Sequence, residues 1–265
     1  MSAVSPARPL VANDEKRTRA WGMDVARSLW KTYAQFDIPW RGARTLDFGC
    51  HWGYLPVLLR EEVGVAEAHG VDLTPYWTSM SDGFDPASVD GVRLFSGDVL
   101  SHPGLQDQTY DVVTTSGTLM TLDAVLVEKV VAWMYDRLAP GGHAVLQTRT
   151  YMSPAGADLH RRVSQPYPHL LFSERVLNQH FAARGEPPVR AMLPYCAATW
   201  LMLFRCAGFD LVRVEGYGKA GFPAELDAEH GARVAAYDRR ELETGLITVH
   251  ARKPVRPLDV AAEVV

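Results

Sequence analysis

The sequence predicts an α/β fold, a parallel sheet covered by helices, and three observations carry that expectation. From Arg44 to Arg149 short apolar runs alternate with segments of helical period, the rhythm of parallel strands joined by crossover helices. Thr45 to Leu59, TLDFGCHWGYLPVLL, passes between two apolar runs through two glycines, as a strand does when it turns sharply into a helix. In LAPGGHAVL, Leu138 to Leu146, Pro140 and the Gly141-Gly142 pair stop a helix and turn the chain straight into the next strand.

Taken in order, residues 1–12 are poor in large apolar groups and read as a frayed tail. Between Asn13 and Phe36, Trp21, Val25, Leu29, Trp30, Tyr33 and Phe36 recur at helical spacing, which predicts an amphipathic helix covering the main body. The alternation then gives a strand over 45–49, a helix over 53–63, strands over 68–73, 92–96 and 110–115, a helix over 123–138 and a strand over 143–149. Residues 151–197 break the rhythm with six prolines and three histidines, and hold one helical piece near 173–183; they read as an insertion over the edge of the sheet. A helix over 198–207 ends at Gly208, strands over 209–217 and 246–253 can form an antiparallel pair, and 256–265 is a second tail. Residues 13–255 are thus expected to form one domain.

Composition narrows the function. The chain has 265 residues, 47% hydrophobic and 22% charged, enough for a full core. A formal charge of −4, with arginines in scattered pairs such as Arg161-Arg162 and Arg239-Arg240, disfavours a nucleic-acid partner. Cys50, Cys196 and Cys206 are odd in number and widely spaced, so neither a disulfide framework nor a zinc site is expected. Without an apolar segment of signal-peptide or membrane-span type, the expectation is a cytoplasmic protein with no membrane partner.

The glycines indicate the ligand. A dinucleotide fingerprint starting at Gly49 would need glycine where His51 and Tyr54 stand, so that reading fails. Read as acid-x-G-x-G-x-G, Asp47-Phe48-Gly49-Cys50-His51-Trp52-Gly53 matches at the acid and at the first and last glycines. Asp72 follows in GVDL, Asp98 in SGDVL, then YDVVTTSG and LAPGGHAVL. In this ordered set the chain resembles the class I S-adenosylmethionine-dependent methyltransferases over roughly Arg44 to Lys253.

That resemblance implies a doubly wound, mostly parallel seven-stranded sheet with helices on both faces, an antiparallel last strand and a substrate cover from the insertion. The cofactor it implies is S-adenosyl-L-methionine. Asp47 would hold the cofactor's amino group, Asp72 the ribose hydroxyls and Asp98 the adenine amino group; Leu73, Gly97 and Val99 flank the latter two, while Ser116 and Gly117 shape the wall around the sulfur. Gly49, Cys50, His51, Gly53 and Tyr54 form the loop and helix start. His51 replaces the family's middle glycine, so its ring either turns outward or alters the pose of the methionine group.

A general base would come from the insertion or the N-terminal helix, where Arg149, Tyr151, His160, Arg161, Tyr167, His169 and Tyr195 are candidates. His169 and Tyr151 are the catalytic candidates; histidine has the right unperturbed pKa. The insertion is rich in Tyr, Phe, Leu and Met and lacks Lys. The expected reaction is methyl transfer to a small-molecule acceptor. The rival expectations are an enzyme that cyclises or cleaves the cofactor, releasing 5′-methylthioadenosine, and a non-catalytic binding protein of the same fold.

Overall fold

Arg44–Phe48 form strand β1, the third of seven in the sheet, and four of its five residues are buried. Two of those are polar and must find partners inside. Thr45 Oγ1 donates to Glu67 O at 3.3 Å, and Asp47 Oδ1 accepts from Thr114 Oγ1 at 2.8 Å. The computed structural model describes residues 18–154, 159, 162–163, 165–189, 193–218 and 231–255. The expectations for residues 13–17, His160, Arg161 and both tails lie outside these.

The other strands are β2 (Glu67–Asp72), β3 (Val92–Ser96), β4 (Tyr110–Ser116), β5 (Leu138–Arg149), β6 (Asp210–Glu215) and β7 (Leu246–Arg252), in the order β3-β2-β1-β4-β5-β7-β6. Pairs β1/β2, β1/β4, β2/β3 and β4/β5 are parallel, whereas β7 runs antiparallel to both β5 and β6. β5 starts five residues before the expected His143. Leu138 already pairs with Tyr110, the register then jumps to His143 against Val112, and the residues between loop out as a bulge. Gly141, at φ 80°, makes that bulge possible, and its N–H donates to Lys253 O at 2.9 Å.

The helices include α1 (Arg19–Tyr33), α2 (Tyr54–Leu58, continued by a π-helical turn Leu59–Val63), α3 (Pro103–Gln106), α4 (Ala124–Arg137), α5 (Pro168–Leu171), α6 (Glu174–Ala182), α7 (Ala197–Cys206) and α8 (Arg239–Leu242). Side chains of Thr18, Asp123 and Ser173 cap α1, α4 and α6 by accepting from backbone N–H groups of their first turns. One face of the sheet packs on α4 and α7 through residues such as Phe48, Val113, Val131, Met134, Trp200 and Phe204. The opposite face packs on α1 and α2 through Met23, Tyr33, Val57, Leu58, Val112 and Val145.

The buried stripe of α1 is not quite the expected one. Val25 is exposed, while the small residues Gly22 and Ala26 face inward with Met23 and Tyr33. The Tyr54 ring lies so close against Gly22 that a methyl group there would collide with it. Backbone proximity, rather than side-chain size, therefore sets this face of the helix. Within the insertion, Leu159, Val163, Leu177 and Phe181 make a satellite cluster, and the Arg162 guanidinium lies 3.5 Å from the Phe181 ring centre. Among the described residues no helix is long and apolar enough to cross a membrane.

Two histidines inside the sheet make its stability pH-dependent. His69 Nδ1 meets Tyr110 OH at 3.0 Å, and His250 Nε2 meets His143 Nδ1 at 2.9 Å. Burial pushes both imidazoles down to about 4, against an ordinary value near 6.5, and in His250 the neighbouring His143 adds to the effect. Between those values the unfolded chain binds the extra protons, so stability is present above about pH 6.5 and is lost as pH falls toward 4. Each histidine contributes up to about 1.4 kcal/mol per pH unit within that window. Urea unfolding at pH 7.5 and pH 5 should show a clearly lower midpoint at pH 5; coincident midpoints would contradict this.

Candidate functional site

The sheet reverses direction between β1 and β4, because the chain leaves β1 toward β2 and leaves β4 toward β5. Loops at the carboxyl ends of such neighbours diverge and open a crevice. Here it is a cleft of about 520 Å³ whose lining includes Gly49, Asp72, Tyr76, Gly97, Asp98 and Thr118.

The turn after β1 is built by conformation. Gly49, His51 and Gly53 all have positive φ (76°, 51° and 77°), a geometry that strains any residue with a Cβ. Backbone bonds compensate. Gly49 and Cys50 N–H groups both donate to Val71 O, at 2.8 and 3.1 Å, which clamps the turn onto the end of β2. The His51 N–H donates to Asp72 Oδ2 at 3.0 Å, and Thr74 N–H donates to Oδ1 at 3.2 Å. Asp72 is thereby fixed at the cleft wall with acceptor capacity to spare, since each carboxylate oxygen can take a second bond. A methyl group at Gly49 would collide with Thr118, so only glycine lets the loops after β1 and β4 approach this closely.

Below the cleft the environment is dry. Asp47 is buried, and that burial pushes its carboxyl up to about 7, opposed by the Thr114 bond and reinforced by the charge of Asp72. The Tyr33 hydroxyl reaches the same place from α1, fully buried beside Asp47 and Ser116, and meets no partner at hydrogen-bond geometry. Two polar groups thus lie under the floor with bonding capacity unused.

Gly49, Asp72, Leu73, Gly97, Asp98 and Val99 line the cleft. Ser116 and Gly117 line a second cavity of about 450 Å³ together with Met120, Gln147, Arg149, Pro154, Gly245 and Leu246. Other sequence candidates stand elsewhere. The Cys50 side chain is buried against Gly70 of β2, and burial raises its thiol well above the usual range. Tyr54 is buried with its hydroxyl donating to Thr18 O at 3.0 Å, so its ring holds α1 and does not reach the cleft's open side. Gly53 starts α2.

His51 is exposed and does not line the cleft; its ring stacks on the cleft-lining Tyr76 at 4.2 Å and 15° and meets Trp52 edge-on at 4.0 Å.

His169 and Tyr151 line neither cavity. The His169 ring packs edge-on against Tyr151, its Nε2 donates to Tyr151 O, and burial pushes it down to about 4. An imidazole that weak is a poor general base, so the expectation drawn from its unperturbed pKa fails for a physical reason, desolvation. Tyr167 OH is likewise held inside, donating to Leu242 O at 2.6 Å. Sequence reasoning passed over Tyr76, Thr118 and the buried hydroxyl of Tyr33. The last left a signal, since a tyrosine on a buried helical stripe needs a polar neighbour.

A family model described as a methyltransferase domain matches residues 14–186, well over half of the chain. The chain belongs to this methyltransferase family. The cofactor that this membership implies is S-adenosylmethionine. No curated protein matches the sequence. Among solved structures, an S-adenosylmethionine-dependent methyltransferase from Mesorhizobium loti is 21% identical with a TM-score of 0.51, covering 89% of this chain and 98% of that one. One from Archaeoglobus fulgidus is 16% identical with a TM-score of 0.52, covering 87% and 94%. The cyclase SpnF is 16% identical with a TM-score of 0.56, covering 96% and 88%. At these identities the likeness is one of fold.

The methyltransferase cleft fits this cofactor on its own evidence. It offers two fixed carboxylates, Asp72 and Asp98, and close-approach glycines, with the unsatisfied Tyr33 hydroxyl and Asp47 beneath. His51→Gly tests the turn. Glycine removes strain of roughly 1 kcal/mol at φ 51°, but also the two ring contacts, each worth about 0.5–1.5 kcal/mol. The expected outcome is a net loss of at most about 2 kcal/mol in urea unfolding, with the same reaction product, because His51 is not among the residues that line the cleft; a changed product would contradict it.

Proposed function

We propose that this chain transfers the methyl group of S-adenosylmethionine to a small-molecule acceptor. The observation that supports the reading most is the cleft after β1 with Asp72 and Asp98 on its wall; a second cavity is lined by Ser116 and Gly117, next in the chain to the cleft-lining Thr118. When bound, the cofactor supplies a methyl already activated on a sulfonium, so the protein has mainly to align the acceptor and exclude water. Asp72 would accept from the ribose hydroxyls while its backbone donors keep the carboxylate in place. Asp98, whose Oδ1 accepts from Leu100 N–H at 3.0 Å, would present its remaining acceptor sites to the adenine amino group. Asp47 would hold the amino group of the methionine moiety. Thr118, packed over Gly49, would set how closely the loops after β1 and β4 approach.

Asp72→Asn should weaken S-adenosylmethionine binding by about 1.5–3 kcal/mol, roughly 10- to 150-fold in Kd, as expected for charge-assisted hydrogen bonds. Isothermal calorimetry checks it. Unchanged affinity in a folded variant would remove Asp72 from the site. The adenosine thioether formed on turnover with an acceptor should be S-adenosylhomocysteine; accumulation of 5′-methylthioadenosine would instead favour cleavage of the cofactor.

Asp47 makes binding proton-linked. Its carboxyl is raised to about 7, so near neutrality a large share of the free protein carries it protonated, and an ammonium group beside it favours the ionised form. Binding then releases a proton, and affinity falls as pH drops from about 8 to 6. Calorimetry at pH 7 in two buffers of different ionisation enthalpy should detect that release. Asp47→Asn should abolish the part due to this residue, and an identical release in the variant would refute the assignment.

A further inference from the structure

His51 stands at a strained position. Among the described residues only His51 and Tyr167 hold a positive φ without being glycine, and at 51° a glycine in the place of His51 would be free of that strain. The ring contacts that offset it lead to the cofactor cleft. The imidazole lies flat on Tyr76, with ring centres 4.2 Å apart and planes 15° apart, and Trp52 meets the same imidazole edge-on at 4.0 Å. Trp52 is in turn met edge-on by Trp21 of α1, at 5.9 Å. The row Trp21, Trp52, His51, Tyr76 thus runs from the N-terminal helix to the cleft wall, and Tyr76 is the member of it that lines the cleft. Its backbone is tied to the acid nearby: Tyr76 N–H donates to Thr74 O at 2.8 Å, and Thr74 N–H donates to Asp72 Oδ1. One face of the Tyr76 ring is taken by the imidazole, and the rest stays open. Tyr76 is 38% exposed and Leu73, also on the cleft wall, 74%, so a ligand there would remove apolar surface from water.

We infer that His51 is a positioning residue for cofactor binding: its imidazole holds the Tyr76 ring on the cleft wall in the orientation that packs on the adenosine half of S-adenosylmethionine, while its N–H holds Asp72 for the ribose. The inference rests on the methyltransferase reading and deepens it. One residue thereby fixes two contacts to the same nucleoside, the acid through its backbone bond of 3.0 Å and the aromatic ring through its side chain. A glycine in this turn could supply the N–H but not the ring. A partly exposed tyrosine left alone exchanges between staggered rotamers, and a ligand that needs one of them loses affinity by having to select it. The stack makes that selection before the ligand arrives, and Trp52 keeps the imidazole from swinging away.

The test is a double-mutant cycle on the full chain, read by calorimetry with S-adenosylhomocysteine and with adenosine as probes. Asparagine tolerates a positive φ and keeps the N–H, so His51→Asn removes the ring alone. It should weaken both probes by about threefold or more. Tyr76→Ala should weaken both by about tenfold, and in that background His51→Asn should have no further effect. Tyr76→Phe, which keeps a ring for the stack, should retain most of the affinity and restore the loss caused by His51→Asn. If His51 serves only the stability of the turn, His51→Asn leaves binding unchanged or weakens it by the same factor with and without the Tyr76 ring, and either result overturns the inference. A Tyr76→Ala protein that binds both probes as tightly as the wild type overturns it as well. These results with S-adenosylhomocysteine still bound by the wild type leave the methyltransferase reading standing, whereas failure of S-adenosylhomocysteine to bind the wild type removes both.

Discussion

Everything at this site depends on one topological constraint, the divergence of the chain at the junction of β1 and β4. Two parallel neighbours whose crossovers go to opposite sides leave a gap between their loops, and no side chain can close it without closing the crevice. The central pairing that holds the junction together is buried and partly polar. Asp47 on β1 and Thr114 on β4 meet through a 2.8 Å bond between buried side chains, so the bond fixes the spacing of the two strands just beneath the crevice. Gly49 and Thr118 continue the same contact one layer higher, where the absence of a Cβ sets the distance of approach.

Charge is distributed with the same economy. Three carboxylates, Asp47, Asp72 and Asp98, belong to this end of the sheet, and they differ in solvent access. Asp98 is exposed, Asp72 half-buried and Asp47 buried. The buried one has its proton affinity raised both by loss of water and by the charge of Asp72. A cationic ligand relieves both effects, whereas an anionic ligand aggravates them.

The N-terminal helix contributes more than cover. Its Gly22 admits the Tyr54 ring, which anchors α1 to the first helix of the sheet, and its last residue, Tyr33, carries a hydroxyl to the underside of the site. Packing and chemistry are therefore coupled through one helix. A change that shifts α1 also shifts the polar group nearest Asp47.

Local pattern sufficed for the elements. β3 falls on the expected residues, the other strands of the sheet and the helices α4, α6 and α7 fall close to them, and Asp72 and Asp98 stand on the cleft, because an acid directly after an apolar strand has a position dictated by the strand itself. The bulge at the start of β5 was not legible, since it depends on pairing with β4 and on Lys253 from β7. Nor was the fate of the aromatic and histidine side chains. A sequence shows that His169, His51 and Tyr54 are near the right loops, but their roles follow from what surrounds them: Tyr151 and burial for His169, Tyr76 and Trp52 for His51, Gly22 and Thr18 for Tyr54. What the sequence alone determined was the alternation of strands and helices and the acids at strand ends, both set by local periodicity. What the tertiary structure decided was which polar groups lose water and which face each other, because desolvation and proximity arise only when distant segments pack.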